Sequence, residues 1–421
     1  MNNLQTLFKV TIVFTFVLIF NNYSFSQVGW YVQSSGTLEN LNAIQFADGN
    51  TGYAVGNAGI VLKTINAGNN WSVIASFNNS NNTSISVVNA NSIYIGRENG
   101  NILFTTNGGT NWFTSLLNAP YTLNSIYYTS TSVGFTCGAD YSLYRTTNGG
   151  QKWYNSPIGH TGTIMKVYFI NSSLGWVLDS YTNSGVTANS LHYTNDGGNN
   201  WTSNIPIPSN VRLNSLHYIS STLGYIAGNN GNIFKTENGG VNWTSQTSNI
   251  TQNLKSIIST DLSKAYAVGD QGKILYSSNS GSNWLSQTSN TSNSLNCVYF
   301  SPNSSTGWVC GNSGTILKTT TGGVGIRNLN SELPNSFKLY QNYPNPFNPE
   351  TNIKFDLIKN SYVKLTVFDI NGKELYTLLD QPLSIGSYEY KFEGSKLSSG
   401  IYFYKIKTDN FESVGKMILN K

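Results

Sequence analysis

The chain has 421 residues, only 10% of them charged, and its 9 Trp, 26 Tyr and 20 Phe supply many large rings to bury. That ring content excludes intrinsic disorder, which requires low hydrophobicity and high net charge. The formal net charge of +5 includes no basic run of the kind that nucleic-acid binding requires. Polar turns between short aromatic and β-branched runs point to an all-β protein.

Residues 1–26 read as a secretory signal peptide. Lys9 precedes an apolar run from Val10 to Phe20, which is too short to span a bilayer. Ser24-Phe25-Ser26 offers small residues to a signal peptidase, so Gln27 is the expected mature start. A membrane anchor is the alternative reading of this run.

Residues 27–326 are dominated by a repeat. Lys63-Thr-Ile-Asn-Ala-Gly-Asn-Asn-Trp71 returns as Phe104-Thr-Thr-Asn-Gly-Gly-Thr-Asn-Trp112 and in four further boxes ending at Trp153, Trp201, Trp243 and Trp284. The spacings between successive Trp residues are 41, 41, 48, 42 and 41 residues, the period of a four-stranded propeller blade. Leu41–Phe46 reads as strand 1 of a blade, Gly52–Gly56 as strand 2 and Ile60–Thr64 as strand 3. The box is the following turn, and strand 4 starts at Trp71.

The seventh box, Thr319-Thr-Thr-Gly-Gly323, has no Trp after it, while Trp30 has no box before it. If the segment from Trp30 supplies strand 4 of the last blade, seven boxes meet seven Trp-led strands. The two ends of a seven-bladed ring are then joined and no end strand is left unpaired. Within each box, Asn66, Asn107, Asn148, Asp196, Asn238 and Asn279 are expected to accept from backbone N–H groups two residues on. The second box glycines suit φ > 0. Each Trp ring should be buried, with its N–H free to find a partner.

The boxes resemble Asp-box (BNR) repeats, with Asn mostly in place of Asp. The longer Gly-x-x-Gly-x-Ile-x-x-Thr-x-Asn-Gly-Gly-x-x-Trp pattern is similar to the photosystem II assembly and stability factor family. That resemblance covers about residues 28–325 and implies a seven-bladed propeller. It also implies partner binding through clustered arginines, for which this segment offers Arg97, Arg145 and Arg212.

Residues 327–338 read as a linker, and residues 339–421 as a small sandwich. From Arg327 onward there are 12 Lys/Arg and 10 Asp/Glu, against 11 and 9 in residues 27–325, so charge density rises sharply at this boundary. Val363, Leu365, Val367 and Phe368 alternate against Lys364, Thr366 and Asp369, and Asn371-Gly372 is a hairpin turn. About seven short strands suggest an immunoglobulin-like fold. Tyr343-Pro-Asn-Pro-Phe-Asn-Pro, the Asn371-Gly372 turn, Leu397-Ser-Ser-Gly-Ile-Tyr-Phe-Tyr404 and the ending Lys416-Met-Ile-Leu-Asn-Lys421 resemble the type A C-terminal sorting domain of the type IX secretion system. That resemblance implies recognition by an outer-membrane type IX translocon, removal of the tail, and release or attachment at the cell surface.

Cys297 and Cys310 are expected to face each other across one hairpin, as a possible disulfide or as buried thiols; Cys137 is left over. His160, His192 and His217 lack metal-ligand spacing, and no cofactor motif is present. No catalytic set emerges. Sialidases share the Asp-box but need an arginine triad with a Tyr/Glu pair, and propeller glucanases use paired carboxylates. The expected function is therefore binding of a protein or glycan by a monomer, with a glycan-cleaving hydrolase as the alternative. Loops 2–3 and 4–1 of a propeller share one face, and loops commonly carry function. Tyr121, Asp140, Tyr141, His160, Asp179, Tyr181 and Arg212 fall in these loops over blades 3 to 5 and form the candidate ligand site.

Overall fold

The computed structural model describes residues 29–117, 121–140, 142–159, 162–183, 186–202, 205–302, 304–323, 326–328, 334–383, 385–394 and 397–421. Residues 1–26, read from the sequence as a signal peptide, lie outside them. Seven four-stranded antiparallel sheets form the propeller and two more form the tail. Blade 1 comprises Leu41–Phe46, Gly52–Gly56, Val61–Thr64 and Ser72–Ala75. Blades 2 to 6 begin at Asn82, Leu123, Thr163, Leu213 and Leu254 and repeat that order. Blade 7 contains Leu295–Phe300, Gly307–Gly311 and Ile316–Thr319, and its fourth strand is Tyr31–Gln33 from the N-terminal end.

This is the closure read from the orphan Trp and the orphan box. Tyr31 pairs with Lys318 and Gln33 with Ile316. Trp30 meets Phe300 edge-on at 5.8 Å and 84°, the geometry with which Trp71 meets Phe46 in blade 1.

The blades are glued by a repeated aromatic device. Strand 1 ends in a ring at Phe46, Tyr128, Phe169, Tyr218 and Phe300. Each lies opposite a glycine of strand 2, as Phe46 lies opposite Gly52 and Tyr218 opposite Gly224. A Cβ on either glycine would come within 2.6 Å of the ring, so only glycine leaves room. Each of these rings stacks on a ring from the preceding blade, as Phe46 does on Trp308 at 3.7 Å and Tyr218 on Trp176 at 3.7 Å. In blades 2 and 6 the pair is Val87 with Ile93 and Ser259 with Ala265. Ring and glycine are lost together there.

The box turn differs in detail from its sequence reading. Asn66 Oδ1 accepts from the backbone N–H of Asn70, four residues on, at 2.9 Å. The nearer N–H groups go instead to the Thr64 hydroxyl, which accepts from Gly68 at 2.9 Å and donates to Asn66 Oδ1 at 3.0 Å. Asp196 repeats the pattern with Asn200 and Thr194, and these bonds hold its carboxyl down at about 2. Asn107, Asn148, Asn238 and Asn279 likewise accept four residues on. The following glycine has positive φ, +81° at Gly68 and +101° at Gly240. The Trp N–H finds an acceptor at Trp30, Trp153 and Trp201, but Trp71, Trp112, Trp243 and Trp284 have none among the described residues.

The tail is a two-sheet sandwich. One sheet holds Lys338–Leu339, Glu350–Leu357, Gly386–Glu393 and Ile326–Asn328; the other holds Ser361–Phe368, Glu374–Leu383, Gly400–Lys407 and Glu412–Leu419. Val363, Leu365 and Val367 are fully buried as the alternation required, but Thr366, read as outward-facing, is also buried and Phe368 is only half-buried, because the pairing shifts register at Leu365/Thr366 and Val367/Phe368. The linker reading is corrected at both ends. Ile326–Asn328 pairs with Tyr388–Tyr390, and Lys338 pairs with Asp356, so both ends of the supposed linker are edge strands of the sandwich.

Candidate functional site

The innermost strands of all seven blades line a central channel whose cavity measures about 570 Å3. Strand 1 carries a bulge at its third residue, counting from Leu41 or its counterpart (Ile164 in blade 4), which resets the period-2 alternation, so its second and fifth residues both face this channel. Both positions carry polar groups that bind the next blade rather than solvent. Near the loop 4–1 end, the Asn42 side chain donates to Asn82 O at 2.8 Å and Asn124 to Ile164 O at 2.9 Å. Asn214 donates to Leu254 O at 2.8 Å, and Asn296 closes the circle by donating to Leu41 O at 2.8 Å. Thr83 and Lys255 make equivalent links to Leu123 O and Asn296. Met165 alone interrupts this girdle; Arg212 instead reaches over to its sulfur at 3.3 Å.

A second girdle runs at the other end. Tyr127 donates to Phe169 O at 2.6 Å, Tyr168 to Tyr218 O at 3.0 Å and Tyr299 to Phe46 O at 3.1 Å. Gln45 and Ser86 accept from Val87 N and Tyr128 N. His217 spans blades 5 and 6 by accepting from Ser259 N at 3.2 Å. A backbone N–H can only donate, so Nδ1 carries no proton and Nε2–H points to the Tyr168 hydroxyl at 3.2 Å. Burial, helped by the Lys166 charge, pushes His217 down to about 3. Ile258 is the one apolar member of this girdle.

The loop-face candidates separate into three groups. Tyr121 and Asp140 come together: both are exposed, and a hydrogen bond to the Asp140 carboxylate raises the Tyr121 hydroxyl pKa. Asp140 sits at φ +60° in loop 2–3 of blade 3, where Ala58, Asn230, Gln271 and Ser313 take the same left-handed turn in blades 1, 5, 6 and 7. Those four are each followed by glycine, whereas Asp140 is followed by Tyr141. Tyr141 and His160 lie outside the described residues.

The enlarged loop of blade 4 is a β-hairpin rather than an irregular insertion. Gly175–Asn183 pairs with Val186–Thr194 out to Asn183 opposite Val186. Tyr181 lies on this extension, half-buried and against Gly162 of the adjoining loop.

Asp179 corrects the sequence reading. It is only 1% exposed, its Oδ1 accepts from Ser190 N at 3.1 Å and Ser190 Oγ at 2.5 Å, and His192 Nε2 lies 3.6 Å from Oδ2. Because the strand continues past Asp179, alternation turns its carboxylate into the blade, away from the loop face. Arg212 is exposed at the channel mouth. Arg97, by contrast, is 2% exposed and donates to Phe77 O and Ser80 O, while Arg145 donates to Asn199. The three arginines thus stand on blades 2, 3 and 5 without clustering.

The remaining propeller acids mostly have local tasks. Asp270 pairs with Lys255 at 3.0 Å, Asp261 with Lys264 at 3.6 Å and Glu237 with Lys235 at 2.8 Å. Asp48 caps the turn at Asn50 and Thr51, and Glu98 accepts from Asn81. Cys297 and Cys310 face each other in register as expected, both as free thiols.

With this geometry in view, the comparisons are specific. The family model described as photosynthesis system II assembly factor YCF48 matches residues 23–166, 116–248 and 157–298, overlapping spans that together exceed half the chain. The model described as secretion system C-terminal sorting domain matches residues 341–420. No curated protein matches the chain. Among solved structures, YCF48 bound to a D1 peptide is similar at TM-score 0.59 and 17% identity, over 70% of this chain and 97% of that one. YCF48 from Cyanidioschyzon merolae gives 0.58 and 19%, over 69% and 98%. The WD40 propeller domain of Doa1 gives 0.56 and 12%, over 69% and 96%. The chain belongs to the photosynthesis system II assembly factor YCF48 family through its propeller, and it ends in a secretion system C-terminal sorting domain.

Proposed function

We propose that this is an exported binding propeller. A type IX translocon delivers it to the cell surface or beyond, and it grips a protein or glycan with the loop face over blades 3 to 5. The observation that carries the reading is the local break in symmetry there. The exposed Tyr121–Asp140 pair stands beside a hairpin, Gly175–Asn183 with Val186–Thr194, that extends from blade 4 alone. A specific partner needs such asymmetry to select one orientation on a near-symmetric ring. Tyr offers flat amphipathic surface at low entropic cost. The solved YCF48 that holds a D1 peptide supports a peptide segment as one class of ligand.

Binding is favoured over glycan cleavage by the state of the acids. Hydrolysis needs two carboxylates free to flank a glycosidic bond. Asp179 is committed inside its blade, Asp270 to Lys255 and Asp196 to its box turn.

The test is a Tyr121→Ala, Tyr141→Ala, Tyr181→Ala triple variant, screened beside the unmodified protein on a glycan array and a peptide array. The variant should melt close to the wild type, because none of the three takes part in a box turn. It should also lose at least about tenfold in affinity for whatever the wild type binds. Full retention of binding would move the site elsewhere, and sugar release from any array glycan by the wild type would favour the hydrolase.

A further inference from the structure

The channel wall carries a second departure from the repeat, independent of the loop face. The third residue of strand 1 sits at a bulge, where the register shifts in every blade. In six blades this residue is small: Ala43, Ser84, Ser125, Ser215, Ser256 and Cys297. In blade 4 it is Lys166. Lys166 lines the cavity, is half-buried, and makes no ion pair or hydrogen bond among the described residues. Its charge is felt at His217 on blade 5 and at Cys297 on blade 7.

No Asp or Glu among the described residues lines the cavity to balance it. The other cavity lysine, Lys255, is already paired with Asp270 at 3.0 Å. Ser215 occupies the position of Lys166 on the adjacent blade. It is 5% exposed, and its oxygen accepts from Ile257 N at 3.2 Å, leaving its own hydroxyl hydrogen with no acceptor among the described residues. A half-buried cation and a buried hydroxyl donor without counterparts each favour a partner that accepts hydrogen bonds. Nearby, the Tyr127 and Tyr168 hydroxyls are spent on blade-to-blade bonds, so their rings present mainly apolar surface. At about 570 Å3 the cavity lies in the range that takes a small molecule rather than a bare ion.

We propose that the channel is a binding site for a small organic carboxylate with an apolar body. Its carboxylate takes Lys166 and the Ser215 hydroxyl, and its body lies against the tyrosine rings. A carboxylate matches both features, because it accepts several hydrogen bonds and supplies the missing negative charge.

The probe is phenylacetate, titrated against the purified full chain with melting temperature and calorimetric heat as readouts. Neutral 2-phenylethanol, which has the same body without the charge, is the control. Phenylacetate should raise the melting temperature saturably, and 2-phenylethanol should do so at least about tenfold less effectively. Lys166→Met should weaken phenylacetate by about tenfold or more, Lys166→Arg should retain it, and Lys255→Met should stay within about threefold of wild type. An unsaturable response in the wild type, an equal response to both probes, or equal binding by Lys166→Met would each overturn the proposal. The Arg variant guards against loss of folding on removing the long side chain.

Discussion

Replacing Trp30 with Ala should open the ring. Trp30 is 1% exposed, edge-on to Phe300 at 5.8 Å, and its N–H donates to Gln287 Oε1 at 2.7 Å. Truncating a buried Trp costs about 3–5 kcal/mol through lost burial and the cavity left behind. The stranded Gln287 oxygen adds to that cost, although the Gln287 amide still donates to Gly322 O at 2.9 Å. For a domain of this size the drop in melting temperature should be on the order of 10 °C. Trp71→Ala is the matched control, because it removes the same 5.8 Å edge contact from an interior blade, where the ring N–H has no acceptor among the described residues. Urea unfolding followed by far-ultraviolet circular dichroism avoids reading the mutated chromophore. The closing role requires Trp30→Ala to cost at least as much as Trp71→Ala. It should also expose the strand Ile316–Thr319 as a free edge prone to association. If Trp30→Ala stays within about 1 kcal/mol of wild type while Trp71→Ala loses the full amount, the N-terminal strand is an appendage and the closure argument fails.

Two further outcomes follow from buried titratable groups. His217 is held neutral, down at about 3, while the unfolded chain titrates it near its ordinary value of about 6.5. A depressed folded pKa means that the unfolded chain binds the proton first. Stability is therefore full above about pH 6.5 and declines toward pH 3, by up to about 1 kcal/mol per pH unit for a half-buried ring. Urea midpoints of wild type and His217→Gln, compared at neutral and mildly acidic pH, should converge as the pH falls; a constant gap would refute the assignment. The second outcome concerns Cys297 and Cys310, which face each other in register, Cys310 donating to Leu41 O at 3.7 Å and held high by burial. Thiol–disulfide exchange with an oxidising disulfide during export should join them, each thiol giving up its hydrogen, with a gain of about 2–3 kcal/mol for so short a loop. Exported protein in which both cysteines still alkylate without reductant would count against it.

The sequence revealed the fold because its period is written in residues that only one geometry satisfies. A glycine three residues before a Trp every 41 or so residues demands a left-handed turn and a buried ring. The Thr, or in blade 6 Ser277, two residues before each box Asn or Asp was equally periodic, yet its role could not be assigned, because a hydroxyl that both donates to Asn66 and accepts from Gly68 is defined by the folded turn. Asp179 was misplaced for a related reason. Extra length in a loop leaves open whether the chain coils or continues as paired strand, and pairing to Asn183 is what turns the carboxylate inward. The girdles were hidden differently. Asn42 and its acceptor Asn82 O are a whole blade apart in sequence, so the contact exists only once neighbouring blades have packed into the ring.

That closure also indicates where function can reside. A ring in which the Asn42, Asn124, Asn214 and Asn296 side chains each tie one blade to the next spends its channel-facing polar groups on its own cohesion. Residues that obey the repeat are therefore poor candidates for recognition, however polar they look. The informative residues are those that break it. Met165 interrupts the girdle and receives Arg212, Lys166 replaces a small residue one position later, and the blade 4 hairpin outgrows its siblings. All three lie at blades 4 and 5, next to the Tyr121–Asp140 pair of blade 3. Blade 6 breaks the rule too, at Ile258 and Ser259, but Ser259 is consumed by His217, so that break is repaired from within. Arg212 meets the break at Met165, but Lys166 has no such counterpart among the described residues, and the carboxylate proposed for the channel is the group that would supply one.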